Sequence, residues 1–503
     1  MKRILSLFAT CFLCGISFTH ANIEMPSIFG HKMVLQREMK TPIWGTAAPG
    51  KTVTVAIAGQ SHQTQADSEG KWEIRLTPMQ AGGPYTLQVS GENTLTFNNV
   101  LFGDVWICAG QSNMQWPVLY SKNAPIEIVT ANYPEIRLLT LPVQGRQEPQ
   151  TQFKEIWQVC TPRSVKQFSA VGYFFGRNLY NATQVPIGLL DISWGSAAIE
   201  AWIDRDTLIE TGVSDQYIAE KDKRAAEYSD QEHEARVAEY RNQMAEWKKT
   251  QTGPRPAPPK DPRYSQFRPA NIYNGMLYPA IGFGIKGAIW YQGESNARNP
   301  EAYQTLFPTM IQMMREDWGQ GDFPFYWVQL ANFGPQRSTL GNHSWARLRE
   351  AQTMTLDKLP NVGEAVAIDA GQVYTIHPRD KQTVANRLSR LALNKDYGFT
   401  DIPCESPRYR EMEVQGHKAI LKFDNVDEGL HSYDSKTVKG FAVAGNDGKF
   451  AWAEAQIIDK ETIAVWSDAV DTPVAVRYGW SQNPDANVRD RNALPLTPFR
   501  TDN

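Results

Sequence analysis

Three stretches of this 503-residue chain differ in the period at which apolar side chains recur. Between about residues 22 and 102, short runs alternate apolar with polar positions. Val53, Val55 and Ile57 follow Pro49-Gly50, Trp72, Ile74 and Leu76 follow Gly70, and Tyr85, Leu87 and Val89 follow Gly82-Gly83-Pro84. A period of two puts every second side chain on one face of a strand, so residues 22–102 are expected to form a small β-sandwich. From 103 to 400 the runs are continuously apolar: Val105 to Ala109, Val185 to Ile192, Ile285 to Trp290, Phe325 to Leu330 and Ala365 to Ile368. Such runs fit strands buried on both faces. Helical spacing lies between them, with Ser169 as an N-cap before Val171, Phe174, Phe175 and Leu179, and with Leu306, Met310, Met313 and Met314 on one stripe. The expectation is an α/β/α sandwich around a mostly parallel sheet, with its site at the carboxyl ends of the strands.

A charged helical insertion interrupts this region at 214–262. Val237, Tyr240, Met244 and Trp247 are spaced by three and four, and prolines from Pro254 to Pro262 end the helix. An amphipathic helix lying on its own domain is expected. Alternation returns over 401–503 in Ala419, Leu421 and Phe423, in Ile463 and Val465, and in Val474, Val476 and Tyr478, giving a second β region whose packing partner stays open.

Lys2 and Arg3 precede the apolar run Ile4 to Leu13, and small residues follow up to Ala21, the pattern of a secretory signal peptide over 1–21. Export to the periplasm or the outside is expected. The run is shorter than the roughly 20 apolar residues of a spanning helix, so no membrane span is expected. Lys plus Arg total 51 against 54 Asp plus Glu, a net charge of -3, without the basic excess that binding to nucleic acid needs. Cys108, Cys160 and Cys404 remain after the leader, too few for a disulfide framework and wrongly spaced for zinc. A single Cys160–Cys404 bridge stays open.

Chemistry concentrates where the middle strands end. Gly110-Gln111-Ser112 puts a serine directly after a strand and a glycine turn, which suits a nucleophile held rigidly at a cleft and equally suits a helix N-cap. Ser193-Trp194-Gly195-Ser196 ends the next strand, and a glycine N–H there can donate to an oxyanion. Tyr291-Gln292-Gly293-Glu294-Ser295-Asn296 ends a third, with Gln292 or Asn296 as candidate side-chain donors. Of seven histidines beyond the leader, His233 sits in the charged insertion, only His343 and His377 fall in the α/β core, and His377 stands in a loop after its last strand, where a general base can reach the sheet edge.

Gly110-Gln111-Ser112-Asn113-Met114, Trp290-Tyr291-Gln292-Gly293-Glu294-Ser295-Asn296 and Ile376-His377-Pro378-Arg379-Asp380-Lys381 together resemble the sialate O-acetylesterase family of the SGNH-hydrolase superfamily. Met33-Val34-Leu35-Gln36-Arg37 and Val476-Arg477-Tyr478-Gly479-Trp480 extend the likeness over most of the chain. The resemblance implies a serine esterase acting on O-acetyl sialic acid or a related acetylated sugar, without metal or organic cofactor. Ser112 would be the nucleophile and His377 the base, and the Ser112 N–H, the Gly195 N–H and the Gln292 side chain would form the oxyanion hole. Superfamily members commonly carry an aspartate two or three residues before the histidine, where this chain has Thr375 and Tyr374. Asp369 is the expected third member, with a backbone carbonyl as its rival. Two further readings stay open: an acetylesterase of plant polysaccharide such as acetylxylan, and a non-catalytic carbohydrate-binding surface protein.

Overall fold

The computed structural model describes residues 22–336, 340, 341 and 343–502, so the leader lies outside the described residues. The amino-terminal module pairs Pro42–Thr46 with Lys71–Arg75, and Thr52–Ile57 with Gln60–Gln65 and Gly82–Ser90. The short strand β1 (Val34–Gln36) and the 17-residue strand β2 (Thr94–Gly110) tie this module to the middle of the molecule. The first half of β2 pairs with Gly82–Ser90, and its second half is the centre of the large sheet. A domain boundary expected at 102/103 therefore falls inside one continuous strand, and one core runs from Ile23 through Val53 and Trp72 to Trp290 and Phe307.

After β2 come α1 (Ser112–Gln115), β3 (Tyr133–Thr140), β4 (Gln158–Cys160), α2 (Ala170–Thr183) and β5 (Ile187–Ser193). The helices α3 (Asp215–Ala226) and α4 (Asp230–Thr250) form the insertion. The middle region closes with β6 (Gly287–Tyr291), α5 (Pro300–Trp318), β7 (Phe325–Val328), α6 (Ser344–Thr353), β8 (Val362–Ala365) and α7 (Lys381–Asp396). The sheet order is β8-β7-β6-β2-β5-β3-β4. Neighbours pair in parallel except β4, which runs antiparallel to β3 at the edge.

Strand periodicity sorts the side chains into two layers. Val105, Ile107 and Ala109 of β2, Ala288 and Trp290 of β6, and Phe325 and Trp327 of β7 share a core with Leu306, Met310 and Met314 of α5. The alternate residues, Trp106 and Cys108, Ile289 and Tyr291, and Tyr326 and Val328, pack with Phe174 and Phe175 of α2 and Leu388 of α7. Each such large apolar side chain contributes about 1.5–3 kcal/mol of burial, which explains why both faces of these strands are apolar in sequence. Ser169 caps α2 by accepting from the Gly172 N–H at 3.1 Å.

The carboxyl-terminal strands have a core of their own around Phe423, Ile463, Phe441 and Tyr478. They dock on the middle region. The wholly buried Arg349 of α6 donates to the carbonyls of Leu330 at 2.7 Å and Ser481 at 2.7 Å, and Arg500 pairs with Glu350. The insertion departs from expectation: α4 has no buried residue, and Val237, Tyr240, Met244 and Trp247 stay partly exposed. A stripe of four apolar residues among charges is too narrow to seat the helix on the domain. Cys160 and Cys404 are both free thiols, so the bridge left open by the sequence is absent.

Candidate active site

Register aligns the ends of three adjacent strands. Gly110 of β2 lies opposite Ser193 of β5 on one side and Tyr291 of β6 on the other, so the turns bearing Ser112, Gly195 and Gln292 leave the sheet at one level. Gly110 has φ +138°, and a Cβ there would stand 2.3 Å from the Tyr291 carbonyl oxygen, so only glycine permits this crossing. Gln111, extended, caps α1, and its side-chain oxygen accepts from the N–H groups of Gly293 at 3.4 Å and Ser295 at 3.3 Å. Ser112 then opens α1, with an N–H that has no acceptor inside the helix.

His377 reaches this point from the loop between β8 and α7. Its Nε2 lies 2.8 Å from Ser112 Oγ across 265 residues of sequence. The imidazole stacks on the Trp116 indole, with ring centroids 4.9 Å apart and planes 21° apart. The His377 backbone N–H donates to Thr375 Oγ1 at 3.1 Å, closing a tight turn at one of the positions where superfamily members carry the aspartate. Burial, and next the charge of Lys381, hold the imidazole below its ordinary pKa, so the ring is neutral and able to accept a proton near pH 7.

Beneath the pair lies a buried polar network that the sequence alone did not reveal. Asn113, next to Ser112, donates through Nδ2 to Glu294 Oε1 and to the carbonyl of Ile376 at 3.0 Å, and accepts from Lys381 Nζ. One amide thus bridges a buried carboxyl group, a buried amine and the residue before His377. Burial pushes Glu294 up and Lys381 down, the latter to about 7, and the attraction between the two groups opposes both shifts. Lys381 Nζ also sits 5.1 Å from the Tyr291 ring centroid.

Gly195 lies against the serine: a Cβ there would be 3.6 Å from Ser112 Cβ. Its N–H donates to Gln115 Oε1 at 2.9 Å, so this donor faces a side-chain oxygen one helical turn beyond the serine. Gln292 is a correction. Its side chain is wholly buried, donates to the Ala197 carbonyl at 3.0 Å and to Asn296 Oδ1 at 2.8 Å, and accepts from the Tyr303 hydroxyl at 2.9 Å. With its donors fully used inside the fold, it is not an oxyanion donor. Asn296 is likewise committed, to Glu200 and to the Ile199 N–H.

Asp369 is a second correction. Both of its oxygens are held by Arg387, at 2.7 and 2.8 Å, and one also by Arg489 at 2.7 Å, and it makes no hydrogen bond to His377. Burial would raise its carboxyl, but the Arg387 hydrogen bonds and charge, followed by the charge of Arg489, bring it below the ordinary value. Asp369 therefore joins α7 to the carboxyl-terminal strands. Among the described residues, no carboxylate takes the third position beside the imidazole.

A serine within proton-transfer distance of a neutral imidazole, on a turn at the carboxyl end of a parallel sheet, is an arrangement of the serine-hydrolase class. Comparison with known proteins is narrower. The family described as carbohydrate esterase, sialic acid-specific acetylesterase, matches residues 263–386. The sialate O-acetylesterase of Homo sapiens is 31% identical over 96% of this chain and 92% of its own length, and that of Mus musculus is 32% identical over 96% and 94%. The crystal structure of a carbohydrate acetylesterase from Xanthomonas citri superposes with a TM-score of 0.81 at 37% identity, covering 96% of this chain and 100% of that one. The chain belongs to the sialate O-acetylesterase family.

Proposed function

We propose that this protein is a serine esterase that removes O-acetyl groups from sialic acids, with Ser112 as nucleophile and His377 as general base on an SGNH-like α/β/α sandwich. The observation that carries the proposal is the 2.8 Å approach of His377 Nε2 to Ser112 Oγ. Ser112 Oγ attacks the acetyl carbonyl carbon as its proton passes to Nε2. The tetrahedral oxyanion then collapses, the bond to the sugar oxygen breaks, and the imidazolium protonates that oxygen. Water next gives a proton to His377 and attacks the acetyl-enzyme. Acetate departs, and Ser112 Oγ recovers the proton.

The developing oxyanion takes its hydrogen bonds from the Ser112 and Gly195 N–H groups, replacing the Gln115 oxygen as the acceptor for Gly195. The backbone of both donors is held by the ends of β2 and β5, so only the Gln115 side chain has to give way for the Gly195 N–H to face the oxyanion. Trp116 and the Asn113 network hold the imidazole in place of a carboxylate. The leader read at residues 1–21 supports action outside the cytoplasm.

Acetate release from O-acetylated sialic acid and from acetylated xylan, measured for the wild type and Ser112→Ala, tests the proposal. Release from the sialic acid ester in preference to xylan, abolished by Ser112→Ala, is expected. A preference for xylan would replace the substrate, and an unimpaired Ser112→Ala would remove the mechanism.

A further inference from the structure

The loop that carries His377 also walls a cavity. Gln372 before the histidine, and Arg379 and Asp380 after it, line a space of about 1020 Å³ that extends over α2 and α7 to Arg489 and Leu494 of the carboxyl-terminal region. Neither Ser112 nor His377 lines it. The volume is at the upper end of small-molecule clefts, well beyond the needs of a single small ion.

Its charge is unbalanced. Six cationic side chains face it against two carboxylates, Asp369 and Asp380. Asp369 is shared by Arg387 and Arg489, Asp380 holds Lys122 at 2.9 Å, and Arg177 pairs outside the lining with Glu127. Among the described residues, Arg379 and Arg390 form no salt bridge, and the Asp490 carboxylate acts on Arg390 only through its charge. Arg379 donates to the carbonyls of Tyr120 at 3.1 Å and Ser121 at 3.4 Å, and Arg390 to that of Asn492 at 2.9 Å. Carbonyls orient a guanidinium without neutralising it. Arg489 Nε is moreover buried with no hydrogen-bond partner. Guanidinium forks match carboxylates in shape and charge, and the amides of Asn123, Asn178 and Asn386 in the same wall suit hydroxyl groups.

We infer that this cavity binds a carboxylate-bearing saccharide, so that an acidic glycan is gripped beside the loop that presents His377. The inference rests on the esterase reading and adds a separate binding site to it. Occupancy links Arg379, two residues past the catalytic histidine, to the ligand, so filling the cavity also fixes the loop.

The test uses the full chain with Ser112→Ala, which prevents turnover, and isothermal titration with sialyllactose, lactose and inorganic phosphate. Sialyllactose is expected to bind about tenfold or more tightly than lactose, with affinity falling as NaCl rises. Adding Arg390→Gln should weaken it by about tenfold or more, and Arg390→Lys by less. Arg390→Gln in the chain that retains Ser112 should hydrolyse 4-nitrophenyl acetate at the wild-type rate, which checks its folding. Equal binding of lactose, an unchanged affinity in Arg390→Gln, or phosphate binding as tightly as sialyllactose would each overturn the inference. Failure of the esterase reading would show separately, as wild-type protein inert toward 4-nitrophenyl acetate.

Discussion

Replacing Asn113 by alanine removes three hydrogen bonds from the floor of the site in one step, those with Glu294, Ile376 and Lys381. Glu294 Oε2 is already buried without a partner, so the substitution also takes the side-chain donor from Oε1. Leaving a buried polar group unpaired costs about 1–3 kcal/mol. With Glu294 Oε1 and Lys381 Nζ both losing this partner, a destabilisation of about 2–4 kcal/mol is expected in urea unfolding. The catalytic effect follows from the Ile376 carbonyl, which anchors the residue before His377. A displacement of about 1 Å at the reacting atoms lowers turnover on the order of 10²-fold. Steady-state hydrolysis of 4-nitrophenyl acetate should show this mainly in kcat, because the small ester does not depend on the floor for binding. Asn113→Asp keeps an acceptor for Lys381 but places a second carboxyl group beside Glu294, and should be impaired as well. Wild-type kcat together with wild-type stability in Asn113→Ala would refute the positioning role.

Three further outcomes follow from the site. Asp369→Asn should lower stability by about 3–5 kcal/mol, since it leaves Arg387 and Arg489 poorly paired, while kcat of the folded variant stays within a few-fold of wild type; a loss of kcat like that of His377→Ala would restore Asp369 to the catalytic machinery. Because the carboxyl of Asp369 lies below its ordinary value in the folded protein, the stability it supplies is complete above about pH 4, is lost as the medium becomes more acidic, and should be missing from the acid unfolding curve of Asp369→Asn. The acid limb of kcat/KM should fall below pH 6.5, because only the neutral imidazole accepts the Ser112 proton and both burial and Lys381 depress its pKa. Lys381→Met removes the second cause and should move that limb to higher pH; a limb that does not move would show that Lys381 has no hold on the imidazole.

The strands of the middle sheet were legible because burial on both faces leaves uninterrupted apolar runs, and Ser112 and His377 because each follows such a run. β3 carries no such run, since Arg137 and Pro134 break its pattern, yet the Arg137 guanidinium is consumed by the carbonyls of Pro134, Lys32 and Asn99. The inward direction of Gln292 is readable from its parity. It shares a face with Ala288 and Trp290, which directs it into the α5 core toward Tyr303 and away from the cleft. The fate of Asp369 and the Asn113 network were beyond reach, since their partners lie 120 residues away for Arg489 and 268 for Lys381. Spacing in sequence carries no signal for such contacts.

The proton shared between Ser112 and His377 is tested most directly by covalent labelling with a serine-directed fluorophosphonate, followed by peptide mass spectrometry. The account predicts a single adduct on Ser112, formed at a rate that drops as the imidazole is protonated, and nearly lost in His377→Gln. An adduct on another serine, or labelling of Ser112 at an unchanged rate in His377→Gln, would contradict it.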